Sequence, residues 1–228
     1  VALIFRFCLD PFGNFYNEWV QIIFFLSISS MFLGAIAAIA QSSIKRLLAY
    51  SSIGHIGYVL IALSAANSEG IKGAAIYMFI YMIMNIAVFA ILLSLKKSNN
   101  YIEKINDFVG LSKSNPVISL SLAIIMLSMA GIPPFIGFFG KFYVFIAAIE
   151  SELYLLSILG VLASVISAYY YLRIIKVMYF DKSEENITYD FVISMQSRIL
   201  LIVLIFIMTF FVFYPSLLMN LISNLSIT

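Results

Sequence analysis

Charged side chains are scarce in this sequence. Asp, Glu, Lys and Arg make up 11% of the 228 residues, 63% are hydrophobic, and the mean hydropathy is +1.07. Soluble domains carry about 25% charged residues. A small water-soluble domain leaves too much surface exposed to hide this proportion of apolar side chains. The composition therefore excludes a soluble protein and predicts an integral membrane protein in contact with the lipid bilayer.

Cysteine and histidine are almost absent, which excludes several kinds of site. The single cysteine, Cys8, cannot form an internal disulfide, and no paired Cys or His spacing suggests a metal, haem or iron–sulfur site. No nucleotide-binding fingerprint is present, because the glycines are scattered through apolar segments. The net charge of +2, without a long basic run, excludes nucleic acid as a partner. We therefore expect no cofactor, metal or redox centre on this chain.

Long uncharged runs, in contrast, are abundant. Five of them reach the roughly 20 residues that cross a hydrocarbon core about 30 Å thick, namely Trp19–Ile44, Leu47–Ser68, Gly73–Leu95, Leu153–Leu172 and Ile199–Thr228. Since backbone in lipid must satisfy its own hydrogen bonds, these runs are predicted to be helices.

Two further segments complete the predicted fold. Ser114–Ile149 contains a single charge, Lys141, and Val1–Leu9 reads as the end of a preceding helix. The sequence thus predicts an all-α polytopic membrane protein with six transmembrane helices and a helix stub. Residues 1–228 form a single transmembrane domain in this interpretation. The chain starts inside an apolar stretch without an initiator Met, so we expect it to be the C-terminal portion of a longer protein.

Basic residues are divided unequally between the two predicted sides of the membrane. Ten of them fall in the connections at Lys45/Arg46, Lys96–Lys113 and Arg173–Arg198. The opposite connections contain only Lys72. By the positive-inside rule, the first side faces the cytoplasm or the mitochondrial matrix. The two longest polar loops, 99–115 and 181–196, belong to that side.

Ser114–Ile149 is too long for one straight span, because 36 residues of helix would measure about 54 Å. Near its middle, adjacent prolines remove backbone donors and force the preceding residue out of helical geometry. We predict one discontinuous helix, interrupted between Gly131 and Gly140. The residues assigned to the break are Gly131, Pro133, Pro134, Gly137 and Gly140. Broken helices at membrane depth are where many transporters place ion sites.

Lys141 follows the break directly and is the main candidate for proton transfer. It lies nine residues, or about 14 Å, before Glu150, which is too deep for comfortable snorkelling. A charge at that depth is expensive and is by default a functional-site hypothesis. A buried amine can also release its proton at accessible pH, whereas a guanidinium cannot. The alternative is a structural lysine bonded to carbonyls freed at the break.

His55, the only histidine, is the second candidate for proton transfer. Ser51, His55 and Tyr58 recur at helical spacing and share one face, and imidazole is suited to relay protons near neutral pH. The alternative is a hydrogen-bonded packing residue.

Two other polar faces favour a structural interpretation. Tyr77, Tyr81 and Asn85 lie on one face, and Ser157, Ser164 and Tyr171 are spaced by seven. Hydrogen bonds between helices are common in membranes and explain both patterns. Ser51, Tyr58, Tyr81 and Asn85 are retained as candidates for a supporting polar path.

Three segments resemble the antiporter-like subunits of respiratory complex I. They are IKRLLAYSSIGHIGY at Ile44–Tyr58, SMAGIPPFIGFFGKFY at Ser128–Tyr143 and SAYYYLRIIKVMYF at Ser167–Phe180. The first is shared with multisubunit sodium/proton antiporters. The third is similar, within the family, to subunit N of NADH-quinone oxidoreductase and to mitochondrial NADH dehydrogenase subunit 2.

The resemblance implies roles for individual residues. Lys141 matches the lysine of the family's second broken helix, taken to belong to the exit side of a proton channel. His55 matches a histidine of the central hydrated axis. The family fold has fourteen helices with two inverted five-helix repeats, of which this chain would supply the end of the eighth and the ninth to fourteenth. The first broken helix would lie upstream of Val1.

The resemblance also implies a function, partners and a location. It is that of a proton-translocating membrane-arm subunit of complex I, in a bacterial or mitochondrial inner membrane. Its partners are other membrane-arm subunits, including other antiporter-like ones. NADH, FMN, iron–sulfur clusters and quinone would be bound by other subunits. A sodium/proton antiporter subunit and a non-conducting structural remnant remain alternatives.

Overall fold

The computed structural model describes residues 1–97, 100–182, 189–191 and 195–213, and these ranges are mainly helical. The helices are α1 (Ala2–Leu9), α2 (Tyr16–Ile39), α3 (Ile44–Ser64), α4 (Ser68–Leu92), α5 (Leu111–Ser114), α6 (Pro116–Ala130), α7 (Ile136–Glu150), α8 (Tyr154–Tyr179) and α9 (Met195–Phe210). Short 3-10 turns cover Gly13–Phe15, Ile105–Phe108 and Phe211–Phe213. The strands are β1 (Leu95–Lys97), β2 (Asn100–Tyr101) and β3 (Tyr189–Phe191).

Four helical stretches in the described part of the chain are long and apolar enough to cross a membrane. They are Gly13–Ile39, Ile44–Ser64, Ser68–Leu92 and Tyr154–Tyr179. Each overlaps one of the uncharged runs predicted to span. α9 covers the start of the predicted run Ile199–Thr228, whose residues 214–228 lie outside the described ranges.

Helix bounds differ from the uncharged runs, because charged residues occupy the first turns of helices. Lys45 and Arg46 were expected between two spans, but both lie in the first turn of α3, where they are exposed. α4 likewise begins before Glu69 and Lys72, with the Asn67 side chain accepting a hydrogen bond from the Gly70 amide at 2.6 Å. A helix end in the headgroup region tolerates charge, so a charge does not mark the end of a helix.

The predicted interruption of Ser114–Ile149 is confirmed. α6 and α7 have 15 residues each, about 22 Å, which is less than the hydrocarbon thickness. α6 ends at Ala130 and is capped by Gly131, whose φ of +82° is the left-handed conformation that glycine adopts at helix C-termini. The break is shorter than predicted, however. α7 begins at Ile136, so Gly137 and Gly140 are helical and do not belong to the non-helical stretch.

Three connections predicted to share one side are tied together by backbone pairing. β1 pairs antiparallel with β2, with Lys96 opposite Tyr101, and with β3, with Lys96 opposite Asp190. An isolated bridge joins Ser43, in the α2–α3 connection, to Lys104. This small sheet was not predicted, so the all-α assignment needs correction on this point. We refer to this end of the bundle as the sheet side.

Tyr189 of β3 anchors the sheet to the loop before α5. Its hydroxyl donates to the carbonyls of Asp107 and Val109, at 2.7 and 2.6 Å. Burial, together with the negative charge of Asp107, raises the pKa of Tyr189 to about 12. The Tyr189 hydroxyl therefore keeps its proton, and with it these hydrogen bonds, over the whole physiological pH range.

The remaining connections meet at the opposite side. The Tyr16 hydroxyl donates to the Ser64 carbonyl at 2.8 Å. Asn67 Nδ2 donates to Ser151 Oγ at 2.9 Å, and Ser151 Oγ donates to the Ala65 carbonyl at 3.1 Å. The described parts of the connections thus divide between two sides as predicted, while the compartment that each side faces stays a prediction.

α2 and α3 pack with their backbones in contact. A Cβ on Gly34 would lie 2.6 Å from the Gly54 amide nitrogen, and one on Gly57 would lie 2.9 Å from the Ser27 carbonyl oxygen. Ser27 Oγ donates to the Gly57 carbonyl at 2.8 Å. Small residues and interhelical hydrogen bonds hold membrane helices together in this way. α3 is consequently largely enclosed, and the buried side chains of Ser51 and His55 face other helices.

Candidate functional site

Lys141 is buried at the break between α6 and α7, with 5% of its surface exposed. Its Nζ donates to the Ala130 carbonyl and to Ser164 Oγ, both at 2.8 Å. The Tyr58 ring centroid lies 5.0 Å from the same nitrogen. A free carbonyl at a helix C-terminus and an aromatic face both stabilise a cation. The side chain therefore has polar partners in an otherwise apolar interior.

The backbone at the break is shaped around the lysine. A Cβ at Gly131 would lie 2.9 Å from Lys141 Cδ and 3.1 Å from its Nζ. On the other side of the break, Ser128 Oγ accepts the Gly137 amide at 3.1 Å and donates to Met84 Sδ at 3.3 Å. One of the unpaired amides at the start of α7 is thereby satisfied. Glycine and serine thus fix the two helix ends between which the ammonium lies.

His55 is held at both ring nitrogens. Nδ1 lies 2.7 Å from the Tyr77 hydroxyl and Nε2 lies 3.0 Å from the Tyr171 hydroxyl. The imidazole stacks on Tyr81, with ring centroids 4.5 Å apart. Ser51 Oγ, one turn earlier on α3, contacts the Tyr171 hydroxyl. Because each neutral imidazole nitrogen is either a donor or an acceptor, the two hydroxyls take opposite roles.

A small internal cavity joins the two titratable residues. Its volume is about 10 Å³, which is room for about one water molecule. Lys141 and His55 both line it, together with Met31, Ala35, Ser51, Gly54, Tyr58, Ser167 and Tyr170. Residues from α2, α3, α7 and α8 therefore meet at one point in the bundle. A water there would have several polar partners, as buried waters require.

The structure brings together most of the predicted site residues. Ser51 and Tyr58 line the cavity with the two main candidates, and Tyr81 stacks on the imidazole. Asn85 lies one turn beyond Tyr81 on α4, and its Nδ2 donates to the Tyr81 carbonyl at 2.9 Å. Its role in a polar path stays a prediction.

Three residues interpreted as structural are direct partners of the site. Tyr77 and Tyr171 bind His55, and Ser164 binds Lys141. The sequence did place these residues on polar helix faces, because Tyr77 precedes Tyr81 by one turn and Ser164 precedes Tyr171 by two. Periodicity identifies a shared face, but it does not show which neighbour that face meets.

Comparison with protein families and curated proteins extends these observations. The family model described as NADH:quinone oxidoreductase/Mrp antiporter, TM, matches residues 1–167. NADH-quinone oxidoreductase subunit N of Pelagibacter ubique is 49% identical over 227 residues, which cover 100% of this chain and 48% of that protein. The same subunit of Paramagnetospirillum magneticum is 52% identical over 185 residues, covering 81% of this chain and 38% of that protein. The chain spans about half or less of the length of these relatives.

Solved structures give the same result. A chain of respiratory complex I from Thermus thermophilus with bound aureothin is 28% identical, with a TM-score of 0.76, covering 88% of this chain and 45% of that one. A chain of the Mrp complex from Dietzia sp. shares the fold, with a TM-score of 0.83 at 17% identity, covering 98% of this chain and 49% of that one. The matched family model agrees with the architecture described above, in which apolar helices surround a broken helix that carries a lysine at the break. The chain belongs to the NADH:quinone oxidoreductase/Mrp antiporter family of transmembrane proteins.

Proposed function

We propose that this chain transfers protons as part of a membrane-arm subunit of NADH:quinone oxidoreductase. The observation that carries the proposal is the pairing of Lys141 with His55 across a cavity with room for about one water. An ammonium without an anionic partner is costly to bury in a membrane interior, and a buried charge of this kind therefore indicates a functional role such as proton relay. Curated relatives that match at 49% and 52% identity are named NADH-quinone oxidoreductase subunit N, and these names support the assignment of this chain to that complex.

The hydrogen bonds of Lys141 are compatible with both of its charge states. An ammonium has three N–H groups, and the bonds to Ala130 O and Ser164 Oγ use two of them. The neutral amine retains two N–H groups, so loss of one proton does not require either bond to break. The Tyr58 ring favours the charged state, whereas burial favours the neutral one. Opposing influences of this kind allow a side chain to load and release a proton.

His55 is placed to exchange a proton with Lys141 through the cavity. Direct transfer needs hydrogen-bond distances, and one intervening water can provide them. As an imidazolium, His55 would donate to both tyrosine hydroxyls, which can each accept. In this proposal Lys141 and His55 carry the proton, while Ser51, Tyr58 and Tyr81 hold the path in place.

The redox chemistry would take place elsewhere in the assembly. NADH, FMN, the iron–sulfur clusters and quinone would be bound by other subunits, and neighbouring membrane-arm subunits would be the partners of this chain. The membrane would be a bacterial or mitochondrial inner membrane, and the bacterial relatives support the first. In the complete subunit, α6 and α7 would form one of six crossings contributed by this chain, within an inverted-repeat fold.

The test is proton translocation per NADH oxidised in inverted vesicles that contain the assembled complex. Lys141→Ala and Lys141→Arg should both assemble and both pump poorly, since guanidinium does not release its proton. Lys72→Ala is the matched control, because Lys72 is exposed and pairs only with Glu69 at 2.7 Å. Full pumping by assembled Lys141→Ala would reduce this lysine to a structural role and refute the proposal.

A sodium/proton antiporter subunit is the second candidate function. The matched family includes Mrp antiporters, and the Dietzia Mrp chain has the same fold. An antiporter would acidify or alkalinise vesicles in response to a sodium gradient without NADH. Transport that persists unchanged when sodium is replaced by potassium would eliminate this alternative.

A further inference from the structure

Tyr171 is the junction of a hydrogen-bonded chain of which two members, Ser51 and His55, line the cavity with Lys141. The chain runs from Ser51 Oγ through the Tyr171 hydroxyl and the His55 ring to the Tyr77 hydroxyl. All four side chains are buried, with at most 4% of any residue's surface exposed. They come from three helices, α3, α4 and α8. The hydroxyls therefore exchange hydrogen bonds with one another rather than with bulk water.

Position along the helices shows where this chain leads. Ser51 lies seven residues after the start of α3, about 10 Å from its sheet-side end, whereas His55 is about 16 Å from it. Tyr171 lies eight residues, about 12 Å, before the sheet-side end of α8. Two residues further on, Arg173 donates to the Ile39 carbonyl at 3.2 Å, at the sheet-side end of α2. From His55, the chain therefore points towards the sheet side.

Lys141 approaches the same centre from elsewhere. It lies about 14 Å before the opposite-side end of α7, and its polar partners, Ala130 O and Ser164 Oγ, belong to the helix break and the middle of α8. None of the hydrogen bonds described for Lys141 involves Ser51 or Tyr171. Lys141 and the chain are therefore separate hydrogen-bonded groups, and they face each other across the cavity that Ser51 and His55 also line.

We propose that Tyr171 and Ser51 relay protons between His55 and the sheet-side half of the bundle. The inference rests on the proposed proton-transfer function and adds a path to it. The positive-inside pattern predicts that the sheet side faces the cytoplasm, so this arm would deliver protons to His55 and Lys141 would pass them on.

Each step of the relay moves one proton between hydrogen-bonded atoms, and no bond between heavy atoms forms or breaks. When a proton is added at Ser51 Oγ, Ser51 passes its hydroxyl proton to Tyr171 and Tyr171 passes its own to Nε2 of neutral His55. An imidazolium results, and no electron is transferred. The Nε2–H then exchanges its bond to Tyr171 for one to a water in the cavity, and through that water the imidazolium gives this proton to neutral Lys141, which restores the starting tautomer of His55. Rotation of the Ser51 and Tyr171 hydroxyls restores the starting polarity.

The discriminating variant is Tyr171→Phe, which deletes one hydroxyl and retains the ring. Its matched control is Tyr169→Phe, two residues earlier on the same helix, where the side chain is 58% exposed. In assembled complex, we expect the protons moved per NADH to fall in Tyr171→Phe by the same amount as in Lys141→Ala, and to be unchanged in the control. Ser51→Ala should match Tyr171→Phe, and Ser51→Thr, which keeps a hydroxyl, should restore pumping.

The double variant separates a relay from a packing role. If the two hydroxyls act in series, Tyr171→Phe with Ser51→Ala should pump no worse than Tyr171→Phe alone. A purely structural role would reduce the amount of assembled complex and leave the protons per NADH unchanged.

Each remaining outcome is decisive. Normal stoichiometry in Tyr171→Phe, or failure of both single variants to assemble, overturns the relay. If Lys141→Ala is impaired while Tyr171→Phe is not, only the relay is wrong. If Lys141→Ala pumps fully, the proposed function itself fails.

Discussion

Gly131→Ala tests whether the backbone at the break positions the ammonium. Gly131 has φ of +82°, and a non-glycine residue in this conformation costs about 1–2 kcal/mol. The added Cβ would also lie 2.9 Å from Lys141 Cδ and 3.1 Å from Nζ. The first distance is shorter than real Cβ atoms show and the second is unusually tight, so something must shift.

The lysine will shift rather than the helix, because its side chain is flexible and the backbone at Gly131 is not. The bonds from Nζ to Ala130 O and Ser164 Oγ, both 2.8 Å, would lengthen or break. Hydrogen bonds to charged groups contribute about 1.5–3 kcal/mol each. Weakening one of them by about 1.4 kcal/mol lowers the population of correctly placed ammonium about tenfold.

Gly131→Ala should therefore combine a small loss of stability with a large loss of pumping. The assay is protons translocated per NADH, with assembly and thermal inactivation measured on the same vesicles. Gly13→Ala is the control, since a Cβ at Gly13 meets no atom within 4 Å. If Gly131→Ala assembles and pumps as well as Gly13→Ala does, the ammonium is not placed by this backbone and the reasoning is wrong.

Two further predictions concern the ends of the bundle. Tyr189→Phe should speed hydrogen exchange at 104–109, because the hydroxyl tie contributes about 1 kcal/mol. Since the pKa of Tyr189 is raised to about 12, against about 10 when unfolded, that stabilisation is complete below pH 10 and is lost as the pH rises through 12. A difference between wild type and variant that already shrinks between pH 7 and pH 9 would contradict this. In a Cys8→Ser background, Ser114→Cys should react with an impermeant maleimide only from the cytoplasmic side and Ser68→Cys only from the other, and the reverse pattern would invert the topology.

The sequence predicted the helices well because the cost of burying charge dominates in lipid. The same cost drew attention to Lys141, and the fixed geometry of Pro133 and Pro134 predicted where the helix breaks. The exact helix limits were less predictable. Lys45 and Arg46 interrupt an apolar run without ending a helix, because exposed charges are tolerated in the headgroup region.

The contacts between helices were largely beyond prediction. Helical spacing placed Ser164 and Tyr171 on one face of α8, but only the three-dimensional packing shows that this face meets Lys141 and His55. The sheet was missed for a related reason. β1 and β3 have three residues each and are about ninety residues apart in the sequence. Neither is long enough to contain an alternating pattern that would predict their pairing.

The sheet also limits how the site can move. β1 begins three residues after the end of α4, and β3 lies further along the chain than α8, so their pairing joins the connections that follow these two helices. Sliding β1 along β3 by a single residue, about 3.3 Å, would break the register between Lys96 and Asp190. Inside the bundle, a slide of α4 past α8 by the same distance would separate His55 from one of its two tyrosines, since Tyr77 is carried by α4 and Tyr171 by α8. The hydrogen bonds of one imidazole thus depend on the relative position of two helices, whereas side-chain rotation and local hydration can change its proton affinity without moving either helix.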